Sequence, residues 1–269
     1  MPGERMKISC IQMDMVLGAA EENFARAEAM VRAAADRDRP DVIVLPEMWN
    51  AGFFPADLEA SADRDGERTR AVFAPLAREL NVNIVCGSVA NRKEDGFYNT
   101  AYVFDRSGAV AARYDKTHLF TPSGEHERFR AGESLCRFEL EGHPCGLIIC
   151  YDIRFPELTR TLALEGIELL FVPAQWPAKR TMHLDTLARA RAIENQMFLA
   201  LCNSAARDTG CGGHSAVIDP WGEYLARAGE REETITAEAD FSVIRGIRSS
   251  INVFRDRRPE LYFKTTNDQ

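Results

Sequence analysis

Three ionisable side chains stand directly beyond apolar runs. Asp41-Val42-Ile43-Val44-Leu45-Pro46 leads into Glu47, an extended stretch from Ala111 to Asp115 leads into Lys116, and Gly146-Leu147-Ile148-Ile149 leads into Cys150. Short apolar runs closed by turn residues read as buried strands, and open α/β sheets bind ligands beyond the carboxyl ends of their strands. A thiol there can attack an acyl carbon, a carboxylate can take its proton, and an ammonium can stabilise the resulting negative charge. Taken alone, Cys150 reads as a buried, inert thiol, which is how most free cysteines behave. A carboxylate and an ammonium at two further strand ends change that reading to a Glu/Lys/Cys constellation.

The residues around these positions carry a resemblance. Leu45-Pro46-Glu47, Tyr114-Asp115-Lys116-Thr117-His118-Leu119 and Cys150-Tyr151-Asp152-Ile153-Arg154-Phe155-Pro156-Glu157 resemble the three signature blocks of the nitrilase superfamily of carbon–nitrogen hydrolases. The carboxy-terminal half adds Gln175-Trp176-Pro177, the stretch Ala190 to Gln196, Gly213-His214-Ser215 and Asp219-Pro220-Trp221-Gly222. Together they are most similar to the omega-amidase branch, whose members hydrolyse the terminal amide of dicarboxylic monoamides. The resemblance implies an α-β-β-α sandwich with mixed sheets inside and helices outside, and subunits that pair into a homodimer or a higher homo-oligomer. It also implies a mechanism without a metal or organic cofactor. Cys150 would be the nucleophile and Glu47 the general base; Lys116 and the Tyr151 backbone N–H would hold the oxyanion. Glu125, favoured over Glu127, would orient the substrate amide or Lys116.

The chain of 269 residues is expected to form one domain, because no Pro/Gly/Ser-rich linker interrupts it. Its 45% hydrophobic and 28% charged residues are ordinary for a globular protein with a substantial core. Forty-one acidic against 33 basic residues give a net charge of −8 and a pI near 5.3. That balance argues against attraction to nucleic acid or anionic membrane and for a small-molecule amide as the partner. The stretch Met1 to Lys7 lacks the charged-then-apolar pattern of a signal sequence, no apolar run reaches membrane-spanning length, and a cytoplasmic location is expected. Seven scattered cysteines fit reduced thiols better than a disulfide framework, and no Cys-x-x-Cys spacing suggests zinc.

Apolar periodicity places strands at Lys7 to Met13, Val82 to Val89, Tyr98 to Phe104, Ala109 to Tyr114, Glu168 to Pro173, Met197 to Asn203, His214 to Asp219 and Thr234 to Ala239. Helices are expected over Glu21 to Val31, Glu67 to Leu80, Glu157 to Glu165 and Thr181 to Asn195. Asp105-Arg106-Ser107-Gly108 reads as a turn between antiparallel strands, so the sheet should be mixed.

Other residues near the three blocks read as structural. His118 and His126 are not needed as bases, Trp49 and Trp176 read as core or rim aromatics, and Asp152 with Arg191 as an ion-pair set around the site. Arg154 is the candidate for the substrate's distal carboxylate, through a bidentate guanidinium contact, with Arg180 as the next candidate. The basic stretch Arg245 to Arg258 belongs to a tail, residues 241 to 269, that the resemblance assigns to subunit pairing. An N-carbamoyl amino acid amidohydrolase would use the same residues, and a non-catalytic oligomeric binding protein is the alternative of another class.

Overall fold

The computed structural model describes residues 3–205 and 210–262. The strands of the first sheet are β1 (Arg5–Gln12), β2 (Val42–Val44), β3 (Asp63–Arg64), β4 (Asn83–Lys93), β5 (Gly96–Phe104), β6 (Val110–Asp115) and β7 (Phe129–Arg130), joined by β14 (Glu233–Asp240). The second sheet contains β8 (Arg137–Leu140), β9 (His143–Leu147), β10 (Leu169–Ala174), β11 (Phe198–Asn203), β12 (Ala216–Ile218) and β13 (Tyr224–Arg227). Their spatial orders are β14-β1-β2-β4-β5-β6 and β13-β12-β11-β10-β9-β8. Each has a parallel centre, β1-β2-β4 in one and β9-β10-β11 in the other, flanked by antiparallel strands.

The side-chain period of two explains the layering. In the first sheet Ile8, Cys10, Val42, Val44 and Val85 share a core with Leu147, Phe171 and Leu199 of the second. Their neighbours Ile11, Ile43, Leu45 and Ile84 face the other way, onto Phe24 of helix α1 (Ala20–Asp38) and Phe73 of the second long helix, Glu67–Leu80. With both faces buried, the central strands are apolar throughout instead of alternating. Leu158 and Leu162 on Pro156–Leu164, and Leu184 and Ala188 on Thr181–Asn195, cover the outer face of the second sheet. The result is the expected α-β-β-α order.

Glu67–Leu80 and Thr181–Asn195 form over the residues that periodicity gave. The strand that leads to Cys150 ends earlier than expected, at Leu147 rather than Ile149. The Ile148 N–H still donates to Phe171 O, but the Ile149 N–H is taken by the Asp152 carboxylate at 2.9 Å, which turns the chain out of the sheet. The short edge strands β8 and β13 were not anticipated; four residues of apolar–polar alternation are a weak signal. Of the tail, Ser242–Ser250 and Pro259–Tyr262 are helical, and residues 263–269 lie outside the described residues. Among the described residues no helix is long and apolar enough to cross a membrane.

Candidate active site

Glu47 follows β2 through Leu45 and Pro46, and its position is set by a bulge in β4. Pairing of β4 with β5 shifts register between Val85 and Ser88, and Gly87 sits in the bulge at φ +55°. A Cβ at Gly87 would lie 1.9 Å from Pro46 O, so only glycine lets β4 pass this close to the turn. Ser88 then clamps the turn: its N–H donates to Pro46 O at 3.1 Å, and its Oγ accepts from Met48 N at 3.0 Å. Lys116 extends β6 by one residue, with its N–H on Asn99 O at 2.9 Å. Cys150 opens the turn Cys150–Arg154 at φ +46°, a left-handed conformation unfavourable for a non-glycine residue. Strain of this kind persists where surrounding structure enforces it, and it collects at functional sites.

These ends converge. Lys116 Nζ lies 2.8 Å from Glu47 Oε1, and 3.1 and 2.9 Å from the two oxygens of Glu125. Glu47, Glu125 and Lys116 are 0%, 0% and 1% exposed, so this is an ion triad removed from water. The Glu47 carboxylate also accepts from the Gln175 N–H at 2.8 Å, just past β10, and is close enough to the Cys150 thiol for the two to influence each other's protonation. Glu125 opens the short helix Glu125–Arg128 and accepts the Phe120 N–H at 2.6 Å, whereas Glu127 is exposed.

One cation cannot neutralise two buried carboxylates, and the protonation preferences reflect this. Burial raises the Glu47 pKa and the Glu125 charge adds to the rise, with Lys116 opposing. For Lys116 burial favours the neutral amine, but Glu47 and Glu125 outweigh it and hold the ammonium charged. Burial, and then the Glu47 charge, push the Cys150 thiol well above the ordinary range, so at neutral pH the sulfur keeps its proton. The arrangement therefore suits proton transfer to Glu47 during attack rather than a standing thiolate. All seven cysteines are buried and outside any disulfide, and Cys150 and Cys211 line the same cavity. Iodoacetamide is expected to label Cys150 first in native protein, Cys211 more slowly, and the remaining five only on unfolding. Peptide mapping checks the order, and faster labelling of Cys10, Cys86 or Cys202 would remove Cys150 from its assigned role.

The cavity, about 370 Å³, has Cys150 and Lys116 at its base and Phe53, Phe54, Phe120 and Trp176 in its walls. Arg154 and Arg180 both line it. Arg154 lies over the Trp176 ring, with Cζ 4.6 Å from the centroid, and Arg180 over Phe120 at 5.3 Å. Among the described residues neither guanidinium pairs with a carboxylate, so two cations face the space beside the thiol. Tyr151 packs edge-on against Phe120 and Phe155. As the second residue of its turn, Tyr151 has a backbone N–H with no acceptor inside the turn.

One pairing differs from the sequence reading. Asp152 and Arg191 do not pair with each other: Asp152 bonds to Tyr114, Thr117, His118 and Ile149, while Arg191 holds Glu194 at 2.8 Å and the Ile153 carbonyl at 3.0 Å. His126 is exposed, and His118 stacks on Phe155 instead of reaching the thiol. Trp49 is a core residue against Phe24 and Phe73. Asn99 was missed altogether. Its Nδ2 donates to Glu47 at 2.9 Å and to Glu125 at 3.2 Å, bridging the two carboxylates. An amide side chain inside a strand otherwise made of aromatic, aliphatic and threonine residues, Tyr98 to Phe104, was the available signal. Among the described residues no group of three His, Cys, Asp or Glu side chains could hold a metal ion.

The fold, with a cysteine, a lysine and two glutamates gathered at one cavity, suits a hydrolase of carbon–nitrogen bonds, and the comparisons show that class. A family model described as carbon-nitrogen hydrolase matches residues 7–249, and the chain belongs to that family. It is 42% identical to a 2-oxoglutaramate amidase of Bacillus subtilis (strain 168), over 95% of this chain and 98% of that one. It is 32% identical to the omega-amidase NIT2 of Homo sapiens, over 95% and 96% of the respective chains. Among solved structures it resembles Saccharomyces cerevisiae Nit3, a member of branch 10 of the nitrilase superfamily. The TM-score is 0.85 at 29% identity, covering 94% of this chain and 97% of that one.

Proposed function

We propose that this protein is an omega-amidase-like enzyme that hydrolyses the terminal amide of a small carboxylate-bearing substrate, such as 2-oxoglutaramate or succinamate, to the acid and ammonia. The observation that carries the reading is the pair of guanidiniums, Arg154 and Arg180, that line the cavity with Cys150 and Lys116 and, among the described residues, meet no carboxylate. Relatives named for this activity support it.

In this mechanism Cys150 Sγ attacks the amide carbon as its proton passes to Glu47. The oxyanion is held by Lys116 and the Tyr151 N–H. All three protons of the ammonium are engaged at rest, so one bond must yield; the double contact to Glu125 can release one oxygen without losing the pair. Glu47 returns its proton to the departing nitrogen, which leaves as ammonia and generates the thioester. Glu47 then deprotonates the water that cleaves the thioester, and the sulfur is reprotonated. Glu125 and Asn99 fix the ammonium and the base. The tail beyond Phe241 pairs subunits, the chain acts as one domain in a homodimer or larger homo-oligomer, and it works in the cytoplasm.

Ammonia release from succinamate, 2-oxoglutaramate, butyramide and N-carbamoyl amino acids, with carbon dioxide measured in parallel, tests the reading. The carboxylate-bearing amides should lead. Carbon dioxide with the ammonia would establish the carbamoyl alternative, and no turnover of any of them a non-catalytic binding role. Arg154→Lys is expected to reduce kcat/KM for succinamate by about 10–100-fold, through loss of bidentate geometry, and to leave butyramide within a few-fold. Equal loss on both substrates would make Arg154 structural and move the carboxylate contact to Arg180.

A further inference from the structure

The side chain of Asp152 is completely buried and accepts five hydrogen bonds, none of which the proposed mechanism uses. Oδ2 accepts from the Ile149 N–H at 2.9 Å and the Tyr114 hydroxyl at 2.8 Å. Oδ1 accepts from the Thr117 hydroxyl at 3.1 Å and the His118 N–H at 2.9 Å, and lies 2.8 Å from His118 Nδ1. Stacking on Phe155, with ring centroids 3.7 Å apart, holds the His118 ring in place. Ile149 immediately precedes the nucleophile, and Thr117 and His118 immediately follow the ammonium. One carboxylate thus grips the chain one residue from Cys150 and one residue from Lys116, although the two come from different sheets.

We propose that Asp152 is a positioning residue that sets the separation between the Cys150 sulfur and the Lys116 ammonium, so that attack and oxyanion stabilisation occur in register. The proposal rests on the reading of Cys150 and Lys116 given above. The same carboxylate drives the Ile149 turn that puts Cys150 into its left-handed conformation. Two acceptor oxygens are required, because two of the five donors are backbone N–H groups on opposite oxygens. In Asp152→Asn the amide nitrogen must face either Ile149 N–H or His118 N–H, and hydroxyl rotation at Tyr114 or Thr117 cannot relieve a clash between two N–H donors.

Asp152→Asn is expected to lower kcat for succinamate by about 100-fold, the loss typical of reacting groups displaced by an ångström. KM should stay within about threefold, because Arg154 and Arg180 lie outside this network. Tyr114→Phe and Thr117→Val each remove one donor on the Lys116 side and should lower kcat by less. Each should add little further loss when combined with Asp152→Asn, because the tie is already broken. Phe104→Leu, in the core between the first sheet and its helices, is the control for lost stability. The proposal is overturned if Asp152→Asn keeps kcat within threefold of the native enzyme, or if Phe104→Leu at an equal fall in Tm lowers kcat as much. It is also overturned if the Tyr114 and Thr117 losses simply multiply with that of Asp152. Retained turnover in Cys150→Ala would instead remove the nucleophile assignment, a separate failure.

Discussion

Glu47→Gln is expected to lower kcat by about 10³–10⁴-fold, the upper part of the roughly 10²–10⁴-fold range for a general acid–base, because in the proposed mechanism one carboxylate serves both acylation and deacylation. A glutamine fills the same space but cannot take the thiol proton, and the raised thiol pKa leaves little standing thiolate to compensate. The substitution also has a structural effect. Glu47 receives Lys116 and Asn99 on one oxygen and the Gln175 N–H on the other, so an amide nitrogen must meet donors on one side. An unsatisfied buried donor costs about 1–3 kcal/mol, equivalent to a fall in Tm of roughly 2–4 °C per kcal/mol for a chain of this size. Single-turnover kinetics with calorimetry separate the two effects. Turnover within tenfold of native would show that another group takes the proton, Glu125 being the first to test.

Lys116→Met should abolish detectable turnover and destabilise the fold in a pH-dependent way. Loss of one oxyanion donor accounts for about 10²–10³-fold in rate, and the remaining loss follows from two carboxylates left facing each other without a cation. Breaking a buried ion pair by removing one partner costs about 3–5 kcal/mol when the surviving charge stays uncompensated. The least costly escape is protonation of one carboxylate, and burial already raises Glu47. A carboxyl whose folded pKa lies above its unfolded value gives stability that is complete below the unfolded pKa and lost as pH rises through the folded one. The Tm deficit of Lys116→Met relative to native should therefore shrink as the pH falls from 8 towards 5. A deficit that is constant over this range would mean that Glu47 remains charged without Lys116, against the rise that burial imposes on it.

The sequence by itself determined which residue types stand at three strand ends, because an apolar run followed at once by a charged or sulfur-bearing residue is a local pattern. It also determined the bounds of Glu67–Leu80 and Thr181–Asn195, where helical periodicity is long and closed by turn residues. The amidase reading came from motif resemblance, and the family match and amidase-named relatives now support it.

Convergence was decided only in three dimensions. Glu47 and Lys116 belong to one sheet and Cys150 to the other, and their separation depends on how two twisted sheets pack, which no local pattern encodes. The role of Gly87 was invisible for the same reason, since its lack of a side chain matters only where β4 crosses beneath Pro46. Asn99 reads along the chain as a polar interruption of a strand and becomes a bridge only when two carboxylates from distant loops arrive on either side. Asp152 read as the partner of Arg191, because residue types alone suggest a cation for a buried carboxylate. The folded chain instead satisfies it with five neutral or histidine donors, two of them backbone N–H groups, and backbone direction is set by tertiary structure rather than by residue type.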